Sequence, residues 1–382
     1  MTSDYESINR EHQLDYGRKL PEWAQDHLAN RYTDRTHFIF ELLQNAEDAL
    51  QERGESKLPT SVAFDLHNEG LEIRHFGAPF TSANVKSICA INESTKKDEL
   101  TEIGRFGIGF KSVYAFTNRP EIHSADEHFA IEKFVLPVAI APRELRDGET
   151  LFWIPFSQSD VTAVREISSA LSNLGSRRLL FLEHIDEISW SLPNDSSGVF
   201  LKGQITPKEG GHLIQLLGEV SETSKKEEEE WLVFSRKVNG PEGNPAGSVA
   251  IGFLLGRNEE EKHVVQAVPD SRLIVFFPTD VPTGTGFLIQ GPYRTTPSRD
   301  NVPLNDSWNR KLVETTAELL VLAMKSLRDA GFFLVEALQV LPIDTQFFRP
   351  DSMFFPLFEQ VRTAFMKEPL LPVLGNRHLP AS

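Results

Sequence analysis

Two short stretches hold the residues best suited to chemistry. The first, Phe40 to Leu50, reads Phe-Glu-Leu-Leu-Gln-Asn-Ala-Glu-Asp-Ala-Leu. Glu41, Asn45 and Asp48 stand at i, i+4 and i+7, so a helix carries all three on one face. Leu42, Leu43, Ala46 and Ala49 lie beside or behind that face and can pack the helix down. A solvated helix has no need of a carboxylate, an amide and a second carboxylate stacked in this way. The second stretch, Gly104 to Lys111, reads Gly-Arg-Phe-Gly-Ile-Gly-Phe-Lys. Gly104, Gly107 and Gly109 let backbone approach a ligand closely, and the amphipathic run Phe110 to Phe116 can open a helix beyond them. Backbone N–H groups at a helix N-terminus suit an anion, most naturally a phosphate.

The elements that must position these stretches are legible on either side. Ser61 to Leu66 and Gly70 to His75 alternate as the two strands of a hairpin, with a turn at His67 to Gly70. The second strand runs into His75-Phe76-Gly77-Ala78-Pro79-Phe80, and Thr81 to Ile91 follows as a helix with Val85, Ile88 and Cys89 inward. Ser94-Thr95-Lys96 and a polar connector lead to the glycine loop. Pro120 to Ser124, Glu127 to Phe134 and Gly148 to Ile154 read as strands, and Val161 to Leu174 as a helix. Beyond a boundary near 180–185 strands dominate: 229–238, 248–255, 272–277 and 286–290. The charge run Ser224 to Glu230 reads as a solvated turn and strand entry, and Trp308 to Leu327 as a helix.

Composition narrows the classes. The chain has 382 residues, enough for two or three domains with a sizeable core. Its formal net charge of −16 repels a nucleic-acid backbone and disfavours DNA or RNA as partners. A single cysteine, Cys89, excludes an intramolecular disulfide and fits a reducing compartment. No apolar run is long enough to span a bilayer, and the polar N-terminus lacks a signal-peptide core. The expectation is a cytoplasmic protein with no membrane association.

Together and in this order, the motifs resemble the GHKL ATPase superfamily, which includes gyrase B, heat-shock chaperones, histidine kinases and MutL. Gly77-Ala78-Pro79-Phe80 is most similar to the sacsin-type, chaperone-like modules. The resemblance implies an α/β (α+β) fold: a two-layer sandwich with a mixed sheet (the Bergerat fold) over 1–182, with a lid near 92–106. A second α/β domain of the transducer type over 183–345 and a tail over 346–382 would follow. It further implies ATP and Mg²⁺ as ligands. Glu41 would be the general base, and Asn45 the Mg²⁺ ligand with Asp48 nearby. Gly104, Phe106, Gly107, Ile108, Gly109, Phe110 and Lys111 would cradle the phosphates, and Ser94, Thr95 and Lys96 would form the lid hinge. Arg299, with Arg294 second, would reach the γ-phosphate from the second domain. Thr150 would support the base-binding residue. Closure over ATP would drive homodimerisation and engagement of a protein client. The alternatives are a nucleotide-dependent interaction module with negligible hydrolysis, and a histidine kinase.

One departure stands out. Where the family has an Asp that accepts from the adenine amino group, this chain has His75, followed by the retained Gly77 and by Pro79 in place of a second glycine. A neutral imidazole nitrogen can accept from an amine, and a protonated one cannot. Against these roles stand plainer ones: His75 as a strand-end residue satisfied by backbone, Lys96 and Lys111 as solvated charges, Thr150 as an ordinary strand residue, Arg299 as a helix-start arginine.

Overall fold

The computed structural model describes residues 2–16, 34–90, 109–157, 160–208, 210–221, 225–240, 243–258, 261, 263–296, 301–373 and 377–381. The fold is mixed α/β, with a large mixed sheet and several helices. Two compact units divide the chain: residues 1–201 with 218–227, and residues 202–217 with 228–382. The boundary expected near 182 falls inside the first unit, because the strand after it pairs with the first strand of the chain.

In the first unit β1 (Ser61–Leu66), β2 (Gly70–His75), β3 (Glu121–Ser124), β4 (Glu127–Glu132), β5 (Leu136–Ala139), β6 (Thr150–Pro155) and β7 (Glu187–Ser191) run in the order β7-β1-β2-β6-β3-β4-β5. β7 lies parallel to β1 and every other pairing along this order is antiparallel. Register sorts the side chains by face. Phe64, Ile73, Phe152, Ile122 and Phe129 fall in line across one face, all buried. The opposite face carries Glu72, Arg74, Trp153 and Glu121, laced by Arg143, whose guanidinium lies 4.9 Å from the centre of the Trp153 ring and reaches Glu72. Alternation of apolar and polar residues in the sequence is thus a sheet with one packed face and one polar face.

Helix α2 (Phe38–Arg53) follows α1 (Tyr5–Tyr16) and a short 3-10 turn, Arg35–His37, and ends at Gly54, whose φ of 71° suits glycine. Three charged side chains set its position. Arg35 donates to the carbonyl of Ala115 at 2.6 Å, pairs with Asp160 and Glu166, and lies over Phe116. Arg53, at the other end, donates to the carbonyls of Phe76 and Pro59. Between them Glu47, buried, accepts backbone N–H bonds from Glu183, from His184 at 2.9 Å and from Ile185 at 2.9 Å. α3 (Ser82–Cys89) begins with a reciprocal Thr81–Asn84 capping box. α4 (Ala163–Ser172) completes this unit's helices of eight residues or more among the described residues.

β8 (Ser197–Lys208) and β9 (Gly211–Val220) come next along the chain, and the second unit is built on β10 (Lys225–Asn239), β11 (Pro245–Arg257), β12 (His263–Gln266), β13 (Arg272–Val275), β14 (Phe277–Pro282) and β15 (Leu288–Gln290). The long helix α5 (Ser307–Asp329) buries Trp308, Leu312, Leu320 and Met324 in one core with Phe234, Phe253 and Phe287, joined by Leu357 and Val361 of α6 (Phe355–Lys367). Lys225 to Glu230 of the charge run open β10, as the expected strand entry, and Ser224 lies outside the described residues. Among the described residues no helix is long and apolar enough to cross a membrane.

The Glu47 carboxylate makes a stability test of this arrangement. Glu47→Ala leaves three N–H groups without their acceptor, and a loss of about 2–3 kcal/mol in unfolding free energy is expected from the cost of unpaired buried donors. Denaturant titration checks it. A change within about 0.5 kcal/mol, the range of ordinary surface substitutions, would show that the segment at 183–185 does not depend on this carboxylate.

Candidate functional site

One face of α2 gathers the chemistry. Glu41, Asn45 and Asp48 pass along it from inside to outside: Glu41 is 2% exposed, Asn45 half-buried and Asp48 exposed. The expected stack of three polar groups on a packed helix therefore has a closed end and an open end. At the closed end Gly109 lies directly against the Glu41 carboxylate. A Cβ at Gly109 would collide with Glu41 Oε2 and stand 2.8 Å from Cδ. The φ of −60° and ψ of −45° are helical, so what glycine supplies here is close approach: a Cβ would make the end of the Glu41 side chain shift. His37 Nε2 comes within 3.3 Å of the other carboxylate oxygen, Oε1, from one turn earlier on the chain. His37 is missing from the sequence reading, although its spacing of i−4 from Glu41 places it on the same face.

The same helix is approached again near its C-terminus. A Cβ at Gly77 would collide with Ala49 Cβ and stand 2.8 Å from the Ala49 carbonyl carbon, and the Ala78 N–H donates to Ala49 O at 2.7 Å. Glu41 and Ala49 are eight residues apart, about 12 Å along the axis, with Asn45 midway. Gly109 and the Gly77 turn thus converge on one helix face, Gly109 at one end and Gly77 at the other.

His75 sits at the end of β2 beside this turn. It is 2% exposed and stacks on Phe152 with ring centres 5.9 Å apart. Phe152 touches Phe110 at 5.8 Å, and Phe110 follows Gly109, so the ring is joined to the Glu41 end by contiguous packing. The Gly77 N–H donates to His75 Nδ1 at 3.0 Å. Burial, with Arg53 adding, lowers the His75 pKa to about 4, and Glu149 opposes this. The plain reading of a strand-end residue satisfied by backbone therefore holds for Nδ1. Acceptance of an amine by that nitrogen is not open to the ring, because the Gly77 N–H already occupies it. Thr150 stands opposite His75 in register, but its hydroxyl is 2.7 Å from Ser124 Oγ, which in turn accepts from the Phe80 N–H at 3.0 Å.

Two expected phosphate contacts are placed elsewhere. Lys111 is 1% exposed, and its ammonium donates to the carbonyls of Ile88, at 2.7 Å, and Phe134. Burial lowers its pKa to about 8, and the same burial raises the neighbouring Cys89 thiol to about 12. Lys111 is neither a solvated charge nor a group offered to a ligand; it fastens the start of the 3-10 helix Phe110–Ala115 to α3 and the turn after β4. Arg294 pairs with Asp306 at 3.1 Å, the residue that caps α5 through the N–H groups of Trp308 and Asn309. Ser94, Thr95, Lys96, Gly104, Phe106, Gly107, Ile108 and Arg299, with the lid at 92–106, lie outside the described residues. Among the described residues no group of three or more His, Cys, Asp or Glu is placed to hold a metal.

A family match overlaps part of this site and begins after α2. The sacsin domain family matches residues 73–133, a span that includes His75, Gly77 and Gly109 to Lys111. Protein NO VEIN of Arabidopsis thaliana is 29% identical over 323 residues, covering 77% of this chain and 11% of that protein. Sacsin of Homo sapiens is 26% identical over 237 residues, covering 47% of this chain and 5% of that protein. The chain therefore spans a small part of the length of the curated relatives it matches, and these matches support a sacsin-type relationship.

Proposed function

We propose that this chain is a nucleotide-binding, Mg²⁺-dependent ATPase module of the GHKL type, working as a conformational switch in the manner of a sacsin-type chaperone-like protein. The observation that carries the reading is the convergence of Gly109 and Gly77 on the Glu41–Ala49 face of α2. Bare backbone at both ends of a half-open helix face is what close approach to a phosphorylated ligand requires. The Bergerat sandwich, the transducer-type second domain and nucleotide-driven homodimerisation belong to the same proposal, as does binding of a protein client.

Within it, Glu41 has the buried carboxylate suited to take a proton from an attacking water, a role contributing about a hundredfold to ten-thousandfold. His37 Nε2 lies 3.3 Å from one carboxylate oxygen, and the bare backbone of Gly109 leaves room for the other. Asn45 Oδ1 suits Mg²⁺, which needs only one or two protein oxygens beside phosphate and water. When bound, the ion supplies neutralisation of phosphate charge. Arg299 is the proposed contact to the γ-phosphate, a charge-assisted bond that a diphosphate cannot make.

Three outcomes test the reading. Glu41→Gln should retain ATP binding and lose turnover by at least about a hundredfold, measured by steady-state phosphate release beside calorimetric binding. Wild-type turnover in that variant removes Glu41 from the chemistry, and no turnover in the wild type favours an interaction module without hydrolysis. Gly109→Ala should displace the carboxylate and lower turnover by about tenfold or more while the melting curve stays cooperative, since misplacement of a reacting group is costly. The third concerns pH. The His75 pKa near 4 lies below the value of about 6.5 in an unfolded chain. The unfolded state then binds more protons between these limits, so stability falls as pH drops from about 6.5 towards 4. Nucleotide affinity should nonetheless stay level down to about pH 5.5, because the folded ring is still neutral there. An affinity midpoint near pH 6.5 would contradict this.

A further inference from the structure

We infer that the cavity between α4 and the start of α2 is a binding site of its own, and that it takes a small organic acid: one carboxylate, held by Arg178, on an apolar body. The inference is independent of the nucleotide reading, because the cavity lies on another side of α2.

Three elements line this cavity. Adjacent residues of a helix stand about 100° apart, so Ile39 and Phe40 point away from the side that carries Glu41. Both line the cavity, and α4 contributes Arg165, Ser169 and Ala170. Leu174 and Arg178, the latter in the 3-10 helix Ser176–Leu179, add to the lining. The volume is about 740 Å³, within the range of about 300–1,000 Å³ usual for small-molecule sites.

Arg178 is what points to an anion. Its guanidinium lies over Phe40, 5.2 Å from the ring centre. Among the described residues it has neither a carboxylate partner nor a hydrogen bond. Burial lowers its pKa, and no carboxylate opposes the shift. A charge taken out of water is ordinarily paired, and an arginine keeps its charge throughout the neutral range. The two carboxylates in the same lining are engaged elsewhere. Glu166 accepts from Arg35 at 3.0 Å on one oxygen and from the Thr162 hydroxyl at 2.6 Å on the other. Asp34 accepts from the Thr36 N–H at 2.8 Å and from the Thr36 hydroxyl at 2.7 Å. Arg165, exposed and one turn from Ser169, is also without an ion pair among the described residues.

Charge and shape narrow the ligand. A guanidinium over an aromatic ring can turn its N–H edge to a planar, bidentate acceptor, and a carboxylate matches that fork. The described lining residues include three arginines, Arg35, Arg165 and Arg178, against Asp34 and Glu166, a surplus of one positive charge. One carboxylate balances that surplus, whereas a phosphate dianion or a polyphosphate would be set against the two acidic side chains. Ile39, Phe40, Ala170 and Leu174 offer apolar surface to the rest of the ligand.

The test titrates the chain by calorimetry with phenylpropanoate and hexanoate, with the neutral phenylpropanamide, and with phenyl phosphate. At least one carboxylate should bind saturably, and about tenfold or more tightly than the amide, since the amide forgoes the charge-assisted bonds. Phenyl phosphate should bind more weakly than the carboxylates. Arg178→Met keeps an apolar contact for Phe40 and removes the charge; it should abolish the preference for carboxylate over amide while its melting curve stays cooperative. If Arg178→Met does not fold, Arg178→Lys takes its place, and loss of the guanidinium fork should weaken the carboxylate about tenfold with the amide unchanged. Binding of neither carboxylate by folded wild type overturns the inference, as does an amide that binds equally well or a phenyl phosphate that binds more tightly. A carboxylate preference retained in the variant overturns it too. None of these outcomes bears on ATP binding, which is measured separately.

Discussion

Backbone contact between the Gly77 turn and Ala49 is the constraint on which the placement of α2 depends, with Gly109 seated against the Glu41 carboxylate. α2 can lie against both turns only where no side chain intervenes. The distances leave no room for alanine at either position without movement of Glu41 or Ala49. Apolar packing holds the helix to the sheet through Phe38, Leu42, Leu43 and Ala46, all nearly inaccessible to solvent. Such packing is non-directional and would tolerate a helix rotated or shifted by part of a turn. The seat of Gly77 on Ala49, with the Ala78 N–H bonded to Ala49 O, fixes the placement, and that placement decides which side chains line the half-open face.

Charged groups enforce the same placement from the other sides. Arg35, Glu47 and Arg53 each bond backbone groups from segments distant in sequence, at 115, 183–185 and 76. Backbone partners have fixed positions and do not swing away as paired side chains do, so each bond carries a direction. Lys111 does the same for the element that follows Gly109. Glu47 and Lys111 are buried, so removing either is costly because its partners are left unsatisfied.

Where the sequence was legible, local pattern coincided with tertiary demand. Alternation over 61–66 and 70–75 gave the hairpin to the residue, because one face of each strand is in the core. Gly109 was visible as a close-approach position, and the spacing of Glu41 and Asn45 as one face. The roles of Lys111 and Glu47 were not visible. A buried lysine bonded to two carbonyls has the same local sequence as a surface lysine, and its partners lie 23 residues away in either direction. α1 was likewise hidden: its residues are mostly polar, and what anchors the chain just before and within it is Glu127, which accepts from the Ser3 N–H, the Ser3 hydroxyl and the Tyr5 hydroxyl. His75 was recognised as a departure, but its tautomer depends on a backbone N–H two residues on, which only the turn geometry brings to Nδ1.

That last point bears on how a buried histidine is read. In an open position an imidazole can choose its tautomer to suit whatever it meets. Here the ring is packed on Phe152, enclosed to 2% exposure and bonded at Nδ1 by its own chain. Enclosure of this kind removes the choice. The tautomer is set by the main chain of the Gly77 turn, and the close seat of Gly77 on Ala49 is what holds that N–H in line.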